Sequence, residues 1–112
     1  MATSTKVIES LKGGKGPVIM KHLLGDKEFD GKCELYAEVT LKPGCSIGYH
    51  EHINESETYY IISGNGEYTD NGVLTIVRTG DVTFTDSGNG HGIENIGDSD
   101  LIFIALIIKK NK

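Results

Sequence analysis

Three histidines and one glutamate have the residue types and spacing to do chemistry in this chain. His50 and His52 lie in the run Gly44-Cys-Ser-Ile-Gly-Tyr-His50-Glu-His52-Ile-Asn-Glu-Ser-Glu57, and His91 follows about 35 residues later. Residues two apart on a strand point to the same face, so His50 and His52 share a side. Glu57 follows a polar step, Ile53 to Ser56, able to turn the chain and open a second strand over Thr58 to Ile62. Neutral imidazoles and a carboxylate suit first-row divalent metals. Placed inside a small barrel they would be costly, about 1–3 kcal/mol for each unpaired polar group, unless a cation offsets their desolvation. Singly, each has an ordinary reading: an H-x-H pair often lies on a solvated face, Glu57 as a surface carboxylate, His91 as an exposed turn residue. Their combination favours a shared metal ion. His22 stands outside the pattern, as a structural or surface residue.

The elements that must position these groups read as strands. Pro17 to Leu24 forms a first strand, closed by Gly25-Asp26. Lys32 to Leu41 alternates, with Cys33, Leu35, Ala37, Val39 and Leu41 on one face and Glu34, Tyr36, Glu38 and Thr40 on the other. That is a half-buried strand. Pro43-Gly44 turns the chain into Ile47 to His52. Asn71-Gly72 between Glu67–Asp70 and Val73–Thr79 is a strong two-residue hairpin signal. Val82 to Thr85, His91 to Asn95 and Leu101 to Ile108 complete the set, with Asp86 to Gly90 a glycine-rich loop. Short strands with frequent turns predict an all-β antiparallel sandwich or barrel. Met1 to Gly16 reads as a loose arm or edge extension, or as a strand given to a partner subunit.

Composition sets limits. The 112 residues allow one domain and one core, and fifteen glycines against two prolines suit tight turns between strands. A formal charge of −5 argues against nucleic acid, which is gripped by basic surfaces. The longest apolar run, Leu101 to Ile108, is strand-sized and far short of the ~18 residues needed to span a bilayer. Cys33 and Cys45 lack metal or redox spacing and are expected reduced and buried. A cytoplasmic location without membrane contact is the default expectation. No nucleophile elbow, P-loop or dinucleotide fingerprint is present.

The spacing of Gly44, His50, His52, Glu57 and Gly64 resembles the first motif of the cupin superfamily without a mismatch. Gly80, Asp86, Ser87, Gly88, His91 and Asn95 resemble its second motif, with Asp86 where cupins usually carry a proline that stiffens the turn. The fifteen residues between Gly64 and Gly80 suit the compact microbial branch. The resemblance implies a double-stranded β-helix, or jelly roll, of two packed antiparallel sheets over residues 17–112. It also implies His50, His52, Glu57 and His91 as ligands of one divalent transition metal, and a homodimer.

Such a site leaves two open positions on a six-coordinate ion. Iron or manganese is favoured, with zinc, nickel or cobalt also compatible. A bidentate carboxylate or enolate would fit those positions, the ion acting as Lewis acid or template. The expected function is a mononuclear metalloenzyme (dioxygenase, decarboxylase, lyase or isomerase) acting on a small carboxylate- or enol-bearing compound. The alternative is a non-catalytic module binding metal or small ligand, as a sensor or accessory subunit. Tyr59 shares parity with Glu57 and is the one candidate acid–base group, or else a core tyrosine with its hydroxyl at the rim. Phe84, Phe103 and Ala105 join Tyr59 as expected pocket walls. Glu51 faces away from the pair of histidines, and Asn95 is expected to fix a turn.

Overall fold

A computed structural model describes residues 3–110. It contains ten strands: β1 (Ser4–Glu9), β2 (Pro17–His22), β3 (Cys33–Leu41), β4 (Ser46–Glu51), β5 (Glu55–Ser63), β6 (Asn65–Asp70), β7 (Val73–Arg78), β8 (Val82–Thr85), β9 (Gly90–Asn95) and β10 (Leu101–Lys109). A 3₁₀ turn spans Leu11–Gly13, and one helical turn, α1, spans Asp26–Phe29. The strands form a six-stranded sheet ordered β1-β2-β3-β10-β5-β8 and a four-stranded sheet ordered β4-β9-β6-β7. Every pairing is antiparallel. Chain neighbours such as β3 and β4 lie in different sheets, the wrapping of a double-stranded β-helix.

Alternation along the strands builds the core. Leu101, Phe103 and Ala105 of β10 pair directly with Leu41, Val39 and Ala37 of β3, and all six are essentially fully buried. Ile61 and Tyr59 continue this layer from β5, while Tyr68, Val77 and Ile93 face it from the other sheet. The hairpin at Asn71-Gly72 forms as expected. Both residues have positive φ, 49° and 92°, the backbone a tight two-residue turn demands.

The structure resolves one open reading, adds a short helical turn and corrects one expectation. Of the alternatives for Met1 to Gly16, Ser4–Glu9 is the edge extension: it pairs with β2 along its whole length as the edge strand of the six-stranded sheet. Met1 and Ala2 lie outside the described residues. The turn α1 has no sequence period because it is four residues long; buried Phe29 anchors it, and the Gly25 N–H donates to Glu28 Oε1 at 2.9 Å. Cys33 is only half-buried, because it opens β3 beside this turn, whereas Cys45 is buried; both are free. Among the described residues no helix is long and apolar enough to cross a membrane.

Asn95 locks the end of β9. Its Nδ2 donates to the carbonyls of Leu41 and Ser99, each at 2.8 Å, and its Oδ1 accepts from the Gly97 N–H at 2.9 Å. Asn95→Ala should therefore strand the buried Leu41 carbonyl and destabilise the fold by about 2 kcal/mol, read as a lowered denaturation midpoint at unchanged m-value.

Candidate metal centre

The barrel brings the four sequence-predicted groups together. His50 on β4 pairs directly across the strands with His91 on β9. A register shift between Ile47 and His50 bends β4 there. His52 follows the end of β4, where its N–H donates to the Asn89 carbonyl and its carbonyl accepts from the Gly88 N–H. Asn54, at φ 60°, completes the turn, so β5 starts at Glu55, inside the Ile53–Ser56 step read as a turn. Glu57 then points inward opposite Thr85 of β8.

Glu57 Oε1 lies 2.9 Å from His52 Nε2, 2.9 Å from His91 Nε2 and 3.8 Å from His50 Nε2. His91 Nε2 is 3.0 Å from His52 Nε2 and 3.2 Å from His50 Nε2. Among the described residues, this is the group of histidine and carboxylate side chains close enough to share an ion.

Neighbours aim the converging ring nitrogens. His50 Nδ1–H donates to the Gly48 carbonyl at 2.8 Å, and His52 Nδ1–H donates to Glu55 Oε2 at 2.6 Å. His91 Nδ1 meets the hydroxyls of Tyr68, at 2.8 Å, and Thr85, at 2.9 Å, either of which can accept its N–H. With Nδ1 protonated, each Nε2 presents a bare lone pair. Three lone pairs and a carboxylate oxygen then converge in a nearly dry space, an arrangement that repels itself without a cation. Donors about 2.1 Å from one first-row ion lie roughly 3.0 Å apart when they subtend a right angle, which matches the shorter spacings here. The donor set therefore fits a divalent transition metal. His50, His52, Glu57 and His91 would hold it, and it would supply Lewis acidity.

Ionisation follows the same neighbours. In the metal-free state, with protons shared at the Nε2 atoms instead, burial pushes the Glu57 carboxyl up, but hydrogen bonds from His50, His52 and His91 win and hold it well below the usual carboxylate range. The Glu57 carboxylate raises His52 against the opposing effect of burial, with Glu55 adding to the rise. Burial lowers His91, overriding the pull of Glu57. Tyr59 is pushed far up by burial and then by the Glu57 charge, so its hydroxyl keeps its proton.

The site opens on a cavity of about 190 Å³ lined by His50, His52 and Glu57 and walled by Leu11, Met20, Leu35, Val39, Ile47 and Ile107. Tyr59 and Ala105 line it as well. The Tyr59 ring is buried and stacks on His91, with centroids 4.9 Å apart and an interplanar angle of 23°. Phe103 lies behind it, ring centroids 4.5 Å apart, and supports Tyr59 rather than lining the cavity. Phe84 is a correction: it is 58% exposed on the outer face, because the Glu57–Thr85 pairing turns Thr85 inward and its neighbour out. Glu51 is exposed at the mouth, and His22 stays apart from the cluster.

Sequence reasoning did not identify Glu55, Tyr68 and Thr85 as supports of the ligands. Glu55 shares strand parity with Glu57, a signal that was available. Tyr68 and Thr85 meet His91 only through the registers of β6–β9 and β5–β8. Asp86 replaces the usual proline with other restraints: its Oδ1 accepts from the Ser87 N–H at 2.8 Å and pairs with Lys110 Nζ at 2.6 Å.

Fold and site together define a small β-barrel with a clustered nitrogen–oxygen donor set. The chain belongs to the cupin family: the cupin domain model matches residues 37–107. It is 48% identical over 101 residues to an oxalate-binding protein of Thermotoga maritima, covering 90% of this chain and 84% of that one. It is 37% identical over 75 residues to an oxalate decarboxylase of Bacillus subtilis, covering 62% of this chain but only 20% of that longer protein. The crystal structure of a predicted oxalate decarboxylase from Thermotoga maritima superimposes with a TM-score of 0.92 at 46% identity, covering 95% of this chain and 92% of that one.

Loss of a ligand and loss of a support should differ in degree. His52→Ala should abolish stoichiometric metal in protein purified without chelator and erase the rise in Tm that added metal gives the native protein. Glu55→Gln should keep the fold and weaken metal affinity by about 10–100-fold. Metal analysis and calorimetric titration separate the two.

Proposed function

We propose that the protein binds a short dicarboxylate, oxalate first, at a divalent cation held by His50, His52, Glu57 and His91, with manganese or iron the favoured ion. The observation carrying this reading is the convergence of four donor atoms at the floor of a small cavity with mostly apolar walls. Four protein ligands leave two positions on a six-coordinate ion, and a dicarboxylate can fill both. Its likeness to an oxalate-binding protein across most of both chains supports oxalate over other bidentate anions.

Catalysis is a second reading, supported by likeness to a decarboxylase. Decarboxylation of the hydrogen oxalate anion would give formate and carbon dioxide, with one proton delivered to the carbon that loses CO₂. Among the cavity residues, Lys12, Glu51 and Glu55 carry groups able to handle that proton; Tyr59 is held protonated and stacked. Binding without turnover is the simpler state for a cavity whose acid–base groups lie mainly at its mouth.

Metal-loaded protein should bind oxalate at one equivalent per chain by titration calorimetry, with no binding after metal removal. Incubation with manganese and oxalate, followed by a formate assay, decides between binding and decarboxylation. Metal-loaded protein indifferent to oxalate would refute the reading.

We also propose a homodimer assembled through the outer face of β5 and β8. Tyr60, Ile62, Val82 and Phe84 are 41–63% exposed there, and the direct pairing of Tyr60 with Val82 joins the two strands' exposed side chains into one apolar patch. Light scattering should give twice the 12.1 kDa chain mass, and Phe84→Lys should shift it toward monomer without changing metal content.

A further inference from the structure

We infer that Lys12 is the anion-recognition residue of this cavity: an N-terminal turn pinned across β4 presents its ammonium to the free edge of a metal-bound dicarboxylate. This rests on the dicarboxylate reading above and assigns the part of the ligand that the metal does not hold.

Lys12 is the one cationic residue lining the cavity; the other charged residues there are Glu51, Glu55 and Glu57. An anion entering this mouth meets acidic groups, and Lys12 is the residue of the lining whose side chain can supply the opposing charge. Among the described residues Lys12 makes no ion pair, whereas Lys15 pairs with Glu94 at 3.1 Å and Lys42 with Asp100 at 3.4 Å. Its charge is therefore uncommitted.

The backbone that carries Lys12 is costly to build. Ser10 (φ 54°, ψ 43°) and Lys12 (φ 56°, ψ 31°) both occupy the left-handed region, which L residues with a Cβ disfavour. Two close approaches hold the turn in place. A Cβ on Gly48 would lie 2.0 Å from the Lys12 carbonyl oxygen, and one on Gly14 would lie 2.2 Å from the Ser46 carbonyl oxygen. Past the turn, the Lys15 N–H donates to Ser46 Oγ and the Ser46 N–H donates to the Lys15 carbonyl, each at 2.9 Å. Gly48 also supplies the carbonyl that orients His50. One short stretch of β4 thus sets both a metal-facing imidazole and the position of Lys12. Leu11, beside it, packs against the core and keeps the turn seated.

A turn that only closed the end of the barrel would need its backbone and Leu11 but not a cation at position 12. The test compares wild type, Lys12→Gln, Lys12→Arg and Gly14→Ala by calorimetric titration of Mn(II) into the metal-free proteins and of oxalate and acetate into the Mn(II)-loaded ones. Lys12→Gln should bind Mn(II) as wild type does, bind oxalate about tenfold more weakly, and leave acetate affinity within about twofold. Lys12→Arg should recover most of the oxalate affinity. Gly14→Ala, whose added Cβ would meet both the Ser46 carbonyl oxygen and Gly48 N, should weaken Mn(II) and oxalate together, because it displaces the stretch that orients His50, and so separates loss of the turn from loss of the charge. Equal oxalate affinity in wild type and Lys12→Gln would overturn the assignment while leaving the dicarboxylate reading intact. A wild type that takes up Mn(II) but not oxalate would overturn both.

Discussion

Repulsion among four electron-rich atoms organises this protein. The Nε2 atoms of His50, His52 and His91 and the Oε1 of Glu57 are gathered to within a few ångströms in a space from which water is largely removed. Isolated, none of these groups would choose that environment, and each unpaired buried polar atom works against folding. The surroundings make the crowding harder to relieve. Gly48, Glu55 and the Tyr68–Thr85 hydroxyls engage the opposite ring nitrogens, so the imidazoles cannot rotate away without losing a hydrogen bond. The donor set therefore fits a cation as a component of the core, and metal binding there would link to stability.

The scaffold follows from this constraint. Two sheets are needed because the donors come from both: His50 and His91 from the four-stranded sheet, Glu57 from the six-stranded one, with His52 on the link between them. The apolar layer of β3, β10 and β5 keeps the sheets in register beneath the site. Stacking of Tyr59 on His91, backed by Phe103, carries the site's position into that layer. The other side of the donor cluster is left for the cavity, whose walls are apolar except near its floor and mouth. That distribution suits a small, rigid, polar ligand better than a long flexible one.

Much of this was legible in the chain. Alternation from Cys33 to Leu41, the Asn71-Gly72 turn and the spacing of the donors each depend on local rules with periods of two or on single turn residues, and all three appear in the structure. What escaped was set by register or by backbone alone. In β8 the apolar residues Val82 and Phe84 face outward and the threonines inward, the reverse of the usual pattern, so alternation pointed Phe84 the wrong way. The supports Tyr68 and Thr85 meet His91 only after three separated strands align. Left-handed conformations at Ser10 and Lys12 leave no compositional mark, so the turn that places Lys12 could not be read. A four-residue helical turn is likewise too short to show a period.

Anomalous diffraction from crystals of the Mn(II)-loaded protein tests the central claim most directly. The account predicts a single strong manganese peak bounded by His50 Nε2, His52 Nε2, His91 Nε2 and Glu57 Oε1, at about 2.0–2.3 Å from each. A manganese peak elsewhere on the molecule, or a fully ordered site with those four atoms in place and no peak between them, would contradict it.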